Sequence, residues 1–102
     1  DALEIFSQAI KNITPSVEVR GKRIGGANYQ IPVAVRGTRQ QSLAFRWIIG
    51  AAKAKKGKPM AEKLASELID AARGEGAAMK KRTDVQKMAE ANRAFAHFAR
   101  SM

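Results

Sequence analysis

Between residues 2 and 13, apolar side chains recur at helical spacing as Leu3, Phe6, Ala9, Ile10 and Ile13. The pattern predicts a helix there, with Asp1 as its N-cap and Thr14-Pro15 ending it. The period then changes from 3.6 to 2. Tyr29, Ile31, Val33 and Val35 fall on one face of a run over 28–36, with Asn28, Gln30 and Ala34 on the other. A preceding run over 16–24 alternates Val17 and Val19 with Glu18 and Arg20. Gly25-Gly26-Ala27 between them reads as the tip of a β-hairpin. Pro32 is confined to an edge strand, and both strands of a two-stranded ribbon are edges.

Helical periodicity returns over 38–56, where Thr38 and Gln41 have capping-box spacing and Gly57 marks the end. Leu43, Ala44, Phe45, Trp47, Ile48, Ile49, Ala51 and Ala52 spread over about two-thirds of this helix's circumference. Arg39, Arg46 and Lys53, seven residues apart, form one basic stripe on the remaining third. Trp47, centred on the apolar arc, is expected to be mostly buried. A third helix is predicted over 59–73, with Pro59 in its first turn and Met60, Ala61, Leu64, Ala65, Leu68 and Ile69 as its apolar face. A fourth is predicted over 84–100, opened by Thr83 and Gln86, with Val85, Met88, Phe95 and Ala99 turned inward. The expected architecture is mainly α: a single domain over 1–102, a small helical bundle from which a two-stranded β-hairpin arm (about 16–36) projects.

Charge turns this pattern into a functional reading. The 102 residues carry 19 Lys and Arg against 9 Asp and Glu, a formal net charge of +10. Residues 37–58 hold six cations without one acid, whereas 59–76 carry a net −2. Such segregation favours a polyanionic partner over a merely soluble surface. Cysteine is absent, so disulfides, thiolate nucleophiles and Cys-bound zinc are excluded. The single histidine, His97, has no carboxylate at helical spacing to orient it as a base. Neither the hairpin glycines nor Gly57-Lys58 match a nucleotide-binding loop. Glu62, Glu67, Asp70 and Glu75 are expected around the solvated face of the third helix. No metal, cofactor or catalytic constellation is implied, and no apolar run approaches the ~20 residues of a membrane span.

Two clusters are candidates for nucleic-acid contact. The distal hairpin carries Arg20, Lys22, Arg23, Asn28, Tyr29 and Gln30: cations for phosphate, amides for polar edges and an aromatic ring for stacking. Lys80, Lys81 and Arg82 form a compact cationic knot just before the fourth helix. Cations there oppose the helix dipole, and a bound anion relieves that conflict. Arg36 and the stripe Arg39, Arg46 and Lys53 complete the set.

Four blocks in order then resemble the small ribosomal subunit protein seven family, bacterial type. They are Arg23-Ile24-Gly25-Gly26-Ala27-Asn28-Tyr29-Gln30-Ile31-Pro32-Val33, Leu43-Ala44-Phe45-Arg46-Trp47, Lys80-Lys81-Arg82 and Met88-Ala89-Glu90-Ala91-Asn92-Arg93-Ala94-Phe95-Ala96-His97. The resemblance implies a helical domain with a hairpin arm that binds the 3′ major domain of small-subunit ribosomal RNA and organises assembly of the subunit head. It further implies a hairpin near exit-site tRNA and mRNA, neighbouring ribosomal proteins of the head as partners, and a cytoplasmic, ribosomal location. Relative to that family, an N-terminal segment and a C-terminal tail are expected to be lacking. Gly37 stands where a proline often follows Arg36, Gln86 where a histidine is usual, and Phe98-Ala99-Arg100 replaces the usual ending. From the residues alone, two rivals stay open. One is an architectural protein of double-stranded DNA, which basic helices plus a two-stranded arm also describe. The other is a helical protein–protein adaptor.

Overall fold

A computed structural model describes residues 1–94 and shows four helices and a two-stranded antiparallel hairpin. Helix α1 (Ala2–Ile13) is followed by strands β1 (Val17–Ile24) and β2 (Ala27–Ala34), then by α2 (Thr38–Ala54), α3 (Met60–Ala72) and α4 (Ala77–Ala91). Asp1 caps α1 as expected, its carboxylate accepting from the Leu3 amide at 3.2 Å. The hairpin register runs from Val17 opposite Ala34 to Ile24 opposite Ala27. Gly25 and Gly26 close it with φ of +56° and +84°, the left-handed pair that a two-residue turn requires. Pro32 faces Val19 in a sheet that has no interior strand.

The core is built from small residues at helix crossings. Ala9 and Ile13 of α1, Ala44 and Ile48 of α2, Ala71 of α3 and Ala78 of α4 form one buried cluster, flanked by Ile10, Trp47, Leu64, Leu68 and Met79. Alanine at these crossings lets the backbones approach closely. Trp47 packs at the cluster's margin and is mostly buried, as its place on the apolar arc predicts. Polar ties reinforce the packing. Asn12 of α1 donates to the carbonyls of Ala71 and Ala72 at 2.8 and 3.2 Å, satisfying the C-terminal end of α3. Lys55, just past α2, reaches Ser66 at 3.0 Å and Asp70 at 3.5 Å.

Several expectations need correction. Thr38 does not cap α2: Gly37 holds the N-cap position and no side-chain bond caps the helix. The buried side of α3 centres on Glu67 and Ala71, so Met60 and Ile69 remain exposed and Glu67 is fully buried instead of solvated. On α2, Phe45 and Ile49 stay 43% and 41% exposed, because the apolar arc is wider than the neighbouring helices cover. With Phe6, Ile10, Leu64 and Leu68 they line a shallow apolar depression.

The largest difference is α4. It begins at Ala77, not near residue 84, because Ala78 and Met79 pack on the core and hold the first turn in place. Thr83 is therefore mid-helix. Val85 and Ala89 are buried, whereas Met88 is 45% exposed. Phe95, His97 and Ala99 lie outside the described residues.

A candidate nucleic-acid interface

The hairpin pairing decides what its polar residues can do together. Lys22 faces Tyr29, Arg20 faces Ile31 and Glu18 faces Val33, so these six side chains share one side of the ribbon. Arg23 opposite Asn28, and Gln30 opposite Gly21, lie on the other side. The six candidate contacts thus divide by chemistry. One face offers an aromatic ring with two cations, and the other a cation with two amides. Residues 20–23 and 25–28 are exposed, while Tyr29 is half-buried. The base is anchored, with Ile31 and Val35 buried at 7% and 3% exposure. The molecule measures 49 × 27 × 20 Å.

Between the ribbon's amide face and α4 runs an open groove lined by Val17, Pro32, Gln86, Ala89, Glu90 and Arg93. At the far end of α4, Asn92 donates its amide to the carbonyl of Gln30 at 2.8 Å. On the opposite face, Glu18 is buried and accepts two hydrogen bonds from the Arg39 guanidinium, from Nε at 2.9 Å and Nη2 at 2.8 Å. Arg20 Nη2 lies 3.5 Å from the same carboxylate. The Arg39 bonds, against some opposing desolvation, hold the Glu18 carboxyl below its ordinary range and raise Arg39 in return.

This changes the basic stripe. Arg39, Arg46 and Lys53 do line up on α2, and Arg46 and Lys53 are exposed. Arg39, however, is engaged by Glu18 and forms part of the hairpin's mounting. Sequence reading missed Glu18 and Asn92, whose partners are distant in the chain. A signal for Glu18 existed: it is the single acid among ten Lys and Arg between residues 15 and 58.

The cationic knot is also rearranged. Lys80, Lys81 and Arg82 lie inside α4, where successive residues turn by about 100° and so point apart. Lys80 pairs with Asp84 at 2.9 Å, which lowers the Asp84 carboxyl from its ordinary value, chiefly through that hydrogen bond. Lys81 is exposed; Arg82 is half-buried with its Nε unbonded, beside Thr83, Gln86, Lys87 and Glu90 on a shallow surface. Lying past the first turn, these cations oppose the helix dipole less than the sequence suggested. Arg36 is exposed at the hairpin's exit.

Among the described residues no group of three or more His, Asp or Glu could hold a metal ion, and no helix is long and apolar enough to cross a membrane. What the surface presents is an anchored ribbon with a polar end, beside exposed cations on α2 and α4.

Comparison with known proteins places the chain in a family. The family model described as ribosomal protein S7p/S5e matches residues 1–93. Small ribosomal subunit protein uS7 of Fervidobacterium nodosum is 63% identical over 98 residues, covering 96% of this chain and 63% of the relative. The proteins of the same name from Syntrophomonas wolfei and Moorella thermoacetica are 60% and 58% identical over the same shares. The chain therefore spans a little under two-thirds of the length of these relatives. On the strength of the family match and these identities, the chain belongs to the ribosomal protein S7p/S5e family.

Proposed function

We propose that this chain is a structural, non-catalytic RNA-binding component of the small ribosomal subunit, working in the cytoplasm within the ribosome. It binds the 3′ major domain of small-subunit ribosomal RNA and takes part in organising the subunit head beside neighbouring ribosomal proteins. The hairpin reaches toward tRNA and mRNA at the exit site. One observation carries the reading: a ribbon of eight paired positions, anchored at its base, exposes polar residues on both faces of its distal half. Family membership and the +10 charge support it.

The chemistry divides between two regions. Arg46 and Lys53 on α2, with Lys81 on α4, neutralise phosphates without reading bases. At the ribbon's end, Tyr29 offers a ring for an unstacked base beside Lys22 and Arg20. Arg23, Asn28 and Gln30 offer donors and acceptors to base edges and the 2′-hydroxyl. Filter binding of the chain to the 3′-domain RNA and to a DNA duplex of equal length, at matched salt, tests the reading. The RNA should be preferred by at least about tenfold, a threshold well below the roughly 10³ at which typical specific-over-nonspecific ratios begin. Equal or tighter binding to the duplex would replace this reading with that of an architectural DNA-binding protein.

A further inference from the structure

We propose that Glu18, gripped by Arg39, is the positioning residue that sets the angle at which the hairpin leaves the helical body. The inference rests on the RNA-binding reading for its purpose, though the geometry behind it is internal to the chain.

Residues 20–23 and 25–28 are exposed, so the direction of the ribbon's end is fixed from its base. Polar ties reach the ribbon from two helices, at its base and, through Asn92, farther out. Gln40 of α2 donates to the Pro15 carbonyl at 3.0 Å, just before β1. Asn92, after α4, donates to the Gln30 carbonyl on β2. Arg39 of α2 grips Glu18 on β1. The first two ties are single hydrogen bonds, which with the packing of Ile31 and Val35 fix distance more than direction. The third is a fork of two parallel charge-assisted bonds, which fixes orientation as well as distance. Glu18 is 8% exposed, so the carboxylate is held at the base of the ribbon while the Arg39 side chain keeps 43% of its surface in solvent.

Two further facts favour positioning over a fortuitous contact. A carboxylate here is the one acid in a stretch, 15–58, that otherwise holds ten cations, against the interest of a phosphate-binding surface. Leverage is also large. Glu18 lies seven residues from the turn, about 23 Å of strand, so a swing of about 10° displaces the tip by about 4 Å. That exceeds the tolerance of any hydrogen-bonded contact.

The sequence has no cysteine, so two introduced cysteines can be spin-labelled cleanly. Ala27→Cys at the tip and Ala61→Cys on α3, both exposed positions, report the arm's direction by pulsed electron paramagnetic resonance without RNA. In this background Glu18→Gln, Arg39→Gln and the double substitution should broaden the distance distribution equally, with helicity unchanged. Glu18→Asp, which keeps the charge but shortens the reach, should broaden it less. In binding, all three Gln variants should lose discrimination between 3′-domain and bulk RNA by a similar factor of about ten, the worth of one well-placed contact. Their salt slopes should match the parent's. A distribution as narrow as the parent's in the Gln variants overturns the proposal, as does a slope lowered by about 1 in Arg39→Gln alone, the mark of a phosphate ligand. Broadened distances in a parent chain that never discriminates between the RNAs would sink the RNA-binding reading while leaving the positioning role intact.

Discussion

Glu67 on α3 has both carboxylate oxygens buried with no hydrogen-bond donor reaching them among the described residues. Its neighbour explains the placement. Gly76 opens α4 with φ +92° and ψ 173°, a conformation open essentially to glycine, and the helix has neither a capping side chain nor an acid in its first turn. A Cβ added at Gly76 would come within 2.4 Å of Glu67 Oε2 and 3.0 Å of Asp70 Cβ. The Glu67 carboxyl thus lies against the start of α4, where the missing side chain of Gly76 leaves room for it. Gly74 is a natural control: its φ is +75°, but an added Cβ meets nothing within 4 Å. Gly74→Ala should cost about 1–2 kcal/mol, the price of a left-handed alanine. Gly76→Ala should cost about 2–4 kcal/mol, because its backbone conformation is closed to alanine and displacing Glu67 adds an overpacking penalty. Urea denaturation of both variants decides it; equal losses would show that Glu67 gives way freely. Glu18 yields a prediction in pH. Its carboxyl is held below the ordinary range when folded, so its stabilisation is complete above the unfolded value and disappears as pH falls through the folded one. The Arg39 Nε–H resonance should shift through that acid window in the native chain and stay constant in Glu18→Gln.

Among the elements, α1, α2, α3 and both strands were legible in the sequence to within about two residues, because amphipathic period and punctuation agreed there. The turn needed Gly25-Gly26, and the edge strand explained Pro32. The start of α4 was not legible. Thr83 and Gln86 imitate a capping box, and Gly74 with Gly76 suggest a longer break than the chain makes. Packing of Ala78 and Met79 on the core overrides both signals. Of the candidate site, the identity of the ribbon's polar residues was legible from alternation. Which residues of the two strands share a face needed the register, and the capture of Arg39 by Glu18 needed tertiary structure. The ribbon also yields a test of its independence. Replacing residues 22–29 with Asn-Gly leaves the paired positions Gly21 and Gln30 flanking a two-residue turn. Helicity and cooperative unfolding should survive, since the described side chains removed are exposed apart from the half-buried Tyr29, while selectivity for the 3′-domain RNA falls. Circular dichroism through a thermal transition reads the first outcome. Collapse of the helical signal would make the ribbon's end part of the core.

At the scale of the whole molecule, shape and charge separate two kinds of contact. The radius of gyration is 15.8 Å, against about 13 Å for a compact chain of this size, and the excess is consistent with an extended ribbon. Cations on α2 and α4 lie along the body, whereas the ribbon's distal half mixes three cations with one aromatic ring and two amides. Neutralising Arg46 or Lys53 should therefore weaken binding to every RNA alike and reduce the log–log salt slope by about 1 each. Substituting Tyr29 should leave the slope unchanged, because no charge is removed, and should reduce discrimination between the 3′-domain RNA and bulk RNA. Arg23→Gln should do both in smaller measure, since its guanidinium sits among amides on the other face. Arg39→Gln belongs with the ribbon variants despite its place in the stripe, because its charge is already met by Glu18. A salt titration of five single variants on both RNAs distinguishes these classes. If all five lose the same factor on both RNAs, attraction between a +10 chain and a polyanion accounts for binding. The ribbon's two chemically distinct faces would then have no part in recognition.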